Sequence, residues 1–365
     1  MSGRRFLLLG AAPGATGPGT WGGHRWEAAW QFHDFLRNER GGQPQRIDPL
    51  AIDALVEATA DYDGVFCESR VAAILAHEWR ARRRPPKATL ALQVHSLDPV
   101  RAVRDAYRTW RGVDPWPDAL ESPWIAWLAP TSRQADFLRV AGVPPARVHR
   151  LRISASIFSL LTADAEAFLA PSERGSTGDV PEPRVVFAGS GQRDWATIVR
   201  AILELPGMPC HIAGGQRSQI ERHLAACNAP WPGHLSHAEF VPVADFARVV
   251  RTACVVVVSL LDGDVDGGHT TVMLASRVGV PVVCTESPTL ADYCEGDRTC
   301  LAVKPGDAAA LAAAVRRVWA EETLRDRLVR EAARHERALD ALFDADLHAA
   351  IEGAIAGLPG VEHSG

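Results

Sequence analysis

The chain has 365 residues, more than a single hydrophobic core usually supports, so two domains are expected. Its composition, 47% hydrophobic and 23% charged, excludes wholesale disorder, and a net charge of −5 provides no global field for nucleic acid. Apolar runs such as Ala253–Leu261 are too short to cross a bilayer.

In chain order, Arg4-Arg5 precedes only a short apolar stretch, so Phe6–Gly10 predicts a first β-strand and not a signal peptide. Further strands are predicted at Gly64–Cys67, Thr89–Val94 and Trp124–Ala129, with helices over Glu27–Arg37, Ile52–Ala58, Val71–Arg82 and Gln134–Val140. Leu161–Pro183, rich in Ala, Ser, Gly and Pro with no sustained apolar period, predicts an interdomain linker. Beyond it, strands are predicted at Arg184–Ala188, Cys210–Ala213, Val255–Ser259 and Pro281–Thr285. The intervening helices are Trp195–Leu203, Ser218–Cys227, Phe246–Thr252, Thr271–Val278 and Ala308–Trp319, and a charged, Ala- and Leu-rich helical tail runs from Glu321 to near Leu358. This alternation predicts an α/β protein with two Rossmann-like, doubly wound parallel-sheet domains facing a cleft. The expected division is 1–160, a linker over 161–183, 184–340, and a C-terminal helix and tail over 341–365.

Arg101, Arg104, Arg108 and Arg111 recur at helical spacing beside Tyr107 and Trp110. A solvated face is the favoured reading of this stretch, with contact to an anionic lipid surface or acceptor as the alternative. The seven cysteines form no Cys-x-x-Cys pair, which argues against a disulfide framework or a structural zinc site and fits a reducing cytoplasm.

The segment with most chemical content is Ser259–Thr285: a Val-rich strand, an Asp- and Gly-rich turn, and a helix opening at His269-Thr270-Thr271. Gly267 and Gly268 permit close backbone approach, either threonine can cap the helix, and the free N–H groups at its start attract phosphate. An ordinary capped helix after a glycine-rich loop fits the same letters. Asp262 and Asp264 are read as solvated loop carboxylates, because their spacing is not that of a calcium loop; no metal is expected there.

Gly267-Gly268-His269-Thr270-Thr271, followed by Gly279-Val280-Pro281, Ala291-Asp292-Tyr293 and Leu301–Asp307, resembles the donor-site helix and its sequel in family-4-type retaining glycosyltransferases of the GT-B fold. Val185–Gly189, Arg193-Asp194-Trp195 and Ile212–Gly215 resemble the start of that family's donor domain. Gly22-Gly23 and His95 fit its acceptor side more weakly. The resemblance implies sugar transfer from a nucleotide-sugar donor, UDP or GDP type unresolved, to a small-molecule, natural-product or envelope-precursor acceptor, with retention and no catalytic metal or other cofactor. It implies donor contacts at Gly189, Ser190, Arg193, Gly214, Gly267, Gly268, His269, Thr270 and Thr271, and acceptor contacts at Trp21, Gly22, Gly23 and His95. Catalytic roles fall to His95, Asp266 and Arg193. His95 has a bland structural reading beside the functional one, and Trp21 serves core packing equally well.

Two departures matter. Where the family carries two glutamates, this chain has Asp266 and Leu274; where it carries an Arg and a Lys, this chain has Ser190 and Arg193. Asp266 retains the ability to accept a sugar hydroxyl, Leu274 cannot bind a ribose, and Glu286 is the positional candidate for that lost contact. The departures leave open a pseudo-glycosyltransferase or atypical S- or N-coupling enzyme, an inactive nucleotide-binding homologue and, less in keeping, a sugar-nucleotide epimerase. Expected partners are small molecules alone, with no nucleic acid and membrane contact not favoured. Oligomeric state is not legible.

Overall fold

The computed structural model describes residues 4–9, 19–21, 24–30, 36–37, 46–47, 49–92, 97–154, 184–189, 192–239, 243–261 and 267–359. By internal contacts the chain divides into two compact units. One comprises Met1–Arg152, Ser156–Ala163 and Ala341–Gly365; the other comprises Ile153–Ala155 and Asp164–Asp340. The segment that the sequence sets apart as a C-terminal helix and tail is thus grouped with the first unit, while the predicted linker lies outside the described residues.

In the first unit, β1 (Arg5–Leu9), β2 (Gly19–Trp21), β3 (His24–Trp30), the short pair β4 (Leu36–Arg37) and β5 (Arg46–Ile47), and α1 (Pro49–Ala58) come first. They are followed by β6 (Gly64–Glu68), α2 (Ser69–Ala81), β7 (Ala88–Leu92), α3 (Leu97–Arg111), α4 (Trp116–Glu121), β8 (Ile125–Ala129), α5 (Ser132–Val140) and β9 (Val148–Arg150). The main sheet runs β2-β3-β1-β6-β7-β8-β9, parallel throughout except for the antiparallel β2–β3 pair. Phe6, Leu7 and Ile125–Ala129 are buried, as expected of parallel strands covered on both faces. Helix α5 opens with a reciprocal cap: Thr131 Oγ1 accepts from Gln134 N at 3.1 Å, and Thr131 N donates to Gln134 Oε1 at 3.0 Å.

The helix expected over Glu27–Arg37 is not formed; His24–Trp30 is a strand in parallel register with β1, and Leu36–Arg37 belongs to β4. The run Trp26-Glu-Ala-Ala-Trp30 suits a helix locally, but pairing to the hydrophobic β1 overrides that preference.

The arginine-rich stretch is α3, and its aromatic residues face inward: Tyr107 is fully buried and Trp110 is partly buried against the core. Arg104 and Arg108 both pair with Asp114, and Arg111 reaches the buried Glu78. Glu78, on α2, accepts from Tyr107 Oη at 2.5 Å, Arg111 Nη2 at 2.9 Å and Arg82 Nε at 2.8 Å. Among the described residues no helix is long and apolar enough to cross a membrane.

The second unit contains β10 (Arg184–Ala188), α6 (Trp195–Leu203), β11 (Cys210–Ala213), α7 (Arg217–Ala226), β12 (Leu235–Ala238), α8 (Val243–Arg251), β13 (Ala253–Val258), α9 (His269–Val278), β14 (Val282–Thr285), β15 (Leu301–Val303) and α10 (Ala308–Ala320), and the last helix, α11 (Glu322–Ala356), belongs to it as far as Asp340 and to the first unit from Ala341. Its sheet runs β12-β11-β10-β13-β14-β15, all parallel. Counted from β10, this is the doubly wound order 3-2-1-4-5-6 found in mononucleotide-binding folds. Val185, Phe187, Ile198, Ile202, Val255, Val257 and Leu311 form its core.

His211, on β11, is 8% exposed; its Nδ1 lies 2.9 Å from Ser236 Oγ, and its Nε2 has no hydrogen-bond partner among the described residues. Burial, reinforced by the charges of Arg184 and His237, pulls its pKa down to about 4. An unfolded histidine takes up its proton near pH 6.5 (roughly the unperturbed value), so acid favours the unfolded chain. Stability is present in full above about pH 6.5 and is lost as the pH falls toward 4, by up to about 3 kcal/mol. Denaturant unfolding across that interval should show the slope, and His211→Gln should flatten it; an equal slope in both proteins would remove His211 as its cause.

Candidate donor site

In the doubly wound order the chain leaves β10 toward β11 and leaves β13 toward β14, so the two loops part at the β10/β13 boundary, where such sheets bind ligands. Short backbone ties join these loops. Asp194 N donates to Ser259 O at 3.1 Å, Leu261 N donates to Gln192 O at 3.4 Å, and Arg193 and Leu260 form an antiparallel bridge. Asp194 caps α6 by accepting from Thr197 N and Thr197 Oγ1, which fixes the residue preceding the helix.

Arg193 is 7% exposed, and its Nε donates to Ala188 O at 2.8 Å. Its guanidinium lies on the backbone of Gly189, where a β-carbon would fall 2.0 Å from Nη2. Gly189 has φ +105°, so the position requires glycine both for its backbone angle and for the arginine lying on it. The same guanidinium extends to Gly267, where a β-carbon would stand 3.5 Å from Nη1. Burial pulls the Arg193 pKa down to about 10, which leaves it cationic at neutral pH. Arg193 thus carries a positive charge from the end of β10 to the residues that open α9. Gln192 Oε1 and Ser259 Oγ, both buried beside it, have no hydrogen-bond partner among the described residues.

Helix α9 begins at His269, two residues before the expected start at Thr271. Gly268, at φ +83°, is the N-cap and offers no side-chain cap, so Thr270 and Thr271 lie in the first turn and do not cap it. The first-turn N–H groups are therefore not covered by a capping side chain, the arrangement that favours an anion. Gly268 packs against Val258 and Leu290. His269 is 8% exposed and stacks on Tyr293, with centroids 5.4 Å apart and planes inclined by 25°. Thr271 is buried, and Leu274 is wholly inside the core, so its position faces packing and no ligand. The helix closes at Gly279, φ +76°.

Around this centre, Gly189 N donates to Ala213 O and Gly214 N donates to Ala238 O, which sets both glycines at the carboxyl ends of their strands. Thr285 Oγ1 accepts from Leu260 N at 2.9 Å, and Glu286 follows as an exposed residue held by its N–H to Val303 O at 2.7 Å. The structure therefore gathers Gly189, Arg193, Gly267, Gly268 and His269, with Gly214 and Glu286 at neighbouring strand ends. Ser190, Asp266, His95, Gly22 and Gly23 lie outside the described residues. Trp21 is the last residue of β2, paired with His24.

Gln192 is unmarked in the sequence, Ser259 stands out there only as the start of the segment Ser259–Thr285, and Tyr293 only within the match at Ala291-Asp292-Tyr293. The bridge between the two loops and the stacking on His269, which set these residues in place, leave no spacing signature.

Residues 182–321 match the family described as glycosyl transferases group 1. No curated protein matches the chain in sequence. Among solved structures, the chain is similar to HepE of Anabaena in complex with UDP-glucose, with 12% identity and a TM-score of 0.62 over 94% of this chain and 98% of that one. It is similar to sucrose-phosphate synthase of Thermosynechococcus elongatus, at 16% identity, TM-score 0.60, over 95% and 96% of the two chains. A glycosyltransferase from Rickettsia africae gives 12% identity and a TM-score of 0.61 over 97% and 99%.

Proposed function

With a GT-B fold and a group 1 glycosyl transferase domain as the premise, we propose that the protein transfers a sugar from a nucleotide-sugar donor, with retained configuration, to a small-molecule, natural-product or envelope-precursor acceptor. The observation that carries this reading is the buried Arg193 guanidinium, lying between Gly189 and Gly267 beside the uncapped start of α9. As the glycosidic bond breaks, negative charge grows on the departing diphosphate. A fixed guanidinium and oriented N–H groups stabilise that charge without reorganising at the moment of reaction. In this reading the protein's own positive groups hold the diphosphate, and no divalent cation is required for it. Gly189 and Gly214 keep the strand ends open to the nucleotide, and Glu286 takes the ribose contact that Leu274 cannot make. Asp266 binds a donor-sugar hydroxyl, and His95 serves the acceptor proton; both assignments rest on sequence.

The full chain, incubated without added metal with UDP-, GDP-, dTDP- and ADP-sugars, should hydrolyse or transfer one of them, and calorimetry should detect its nucleoside diphosphate. The absence of both turnover and nucleotide binding across the panel would overturn the reading. Product mass decides between sugar transfer and coupling of a non-sugar donor.

A further inference from the structure

Three cysteines far from any metal-binding spacing converge in the second unit. Cys284 lies on β14, Cys294 follows Tyr293 in the turn beyond, and Cys300 immediately precedes β15. Parallel pairing of Cys284 with Ala302 brings Cys300 beside β14, and the turn from Leu290 to Cys294 folds back over both, with Cys294 N donating to Leu290 O at 2.7 Å. The three sulfurs lie within 4.8 Å of one another, with Cys284 Sγ 3.8 Å from Cys294 Sγ and 3.6 Å from Cys300 Sγ. Cys284 and Cys300 are buried, and Cys294 is half-buried. None of the three is a residue assigned to sugar transfer, and all seven cysteines of the chain are free thiols.

A zinc–thiolate bond of about 2.3 Å and a tetrahedral angle place two ligand sulfurs about 3.8 Å apart. The Cys284–Cys294 and Cys284–Cys300 separations match that spacing with little movement. Among the described residues no further Cys, His, Asp or Glu joins the group, which leaves a fourth position for water. We propose that Cys284, Cys294 and Cys300 form a three-thiolate binding site for one zinc ion. Binding makes three Zn–S bonds and releases three thiol protons to solvent, so affinity rises with pH. The ion joins β14, the turn and the start of β15. In doing so it braces Tyr293, whose ring stacks on His269 and whose hydroxyl accepts from Ile153 N at 3.1 Å.

The test uses the full chain, reduced and stripped by a chelator, then loaded with zinc alone and desalted. One zinc per chain is expected, together with protection of Cys284, Cys294 and Cys300 from alkylation in a mass-spectrometric thiol map. Cobalt alone should produce a sulfur-to-metal charge-transfer band. Cys294→Ser should lower zinc affinity at least tenfold, and Cys227→Ser should leave it unchanged. Zinc binding equal in wild type and C294S, or alkylation of the three thiols unaffected by zinc, would reduce the cluster to packed thiols and overturn the proposal. Because the thiol map is made on wild type, a poorly folded variant does not rescue it. The site is independent of the donor reading: loss of metal binding would leave sugar transfer standing, and the reverse holds.

Discussion

Replacing Arg193 by alanine is expected to lower kcat/KM for the sugar nucleotide by about two to three orders of magnitude, the scale of about 2.7–4 kcal/mol for removal of one preorganised charge-stabilising donor. The side chain cannot be replaced from solvent, because it is buried and its Nε is committed to Ala188 O. That bond orients the remaining face of the guanidinium along Gly189 toward Gly267. Arg193→Lys should recover only part of the loss, since an ammonium cannot hold the Ala188 carbonyl while presenting a planar fork. Steady-state kinetics together with nucleotide calorimetry check the claim. A folded R193A with unchanged kcat/KM would remove the guanidinium from the donor site.

The second large effect concerns stability. Glu78→Ala should destabilise the first unit by about 3–5 kcal/mol, the cost of removing one partner from a buried charged network. Burial by itself would raise the Glu78 pKa, but hydrogen bonds from Tyr107, Arg111 and Arg82 outweigh it and hold the carboxyl below the usual carboxylate range. The carboxylate therefore contributes stability that is present above about pH 4.3 and lost as the pH falls through its lowered native value. With the carboxylate gone, the buried Tyr107 hydroxyl and two guanidinium groups lose their shared acceptor. Urea unfolding followed by tryptophan fluorescence reports on this unit through Trp79, Trp116 and Trp127. Glu78→Gln, which keeps an acceptor oxygen, should fall between wild type and alanine. A midpoint for E78A indistinguishable from wild type would show that the network adds nothing.

Much of the second unit could be read from its letters because its strands are nearly all apolar and its turns carry glycine. Val255–Val258, Gly267-Gly268 and Gly279 mark a strand, a helix start and a helix end by local chemistry alone. Short strands with weak patterns did not declare themselves: Leu235–Ala238 and Val148–Arg150 each form by pairing beside a stronger neighbour. The helix expected over Glu27–Arg37 gives way to the strand His24–Trp30 because its helix-favouring letters lose to its partner in the sheet. The helix start shifted from the threonines to Gly268 because a left-handed glycine can end a loop without a side-chain cap. At the site, the glycines and Arg193 were legible, whereas the contacts of Gln192 and Ser259 depend on the approach of two loops about 65 residues apart. The cysteine cluster depends likewise on strand register and shows no spacing motif.

Helix α11 gives the first unit a late-arriving piece. Asp346 on this helix holds Arg152 at 2.7 Å, Gly353 lies against His149, and Gly357 just beyond it lies so close to Pro123 that a β-carbon would fall 2.1 Å from its carbonyl oxygen. Residues from 341 onward therefore belong to a unit from whose other residues the stretch Asp164–Asp340 of the second unit separates them along the chain, with 194 positions between Arg152 and Asp346. A fragment ending at Arg152 lacks this packing element, and supplying residues 341–365 in trans is expected to raise its stability.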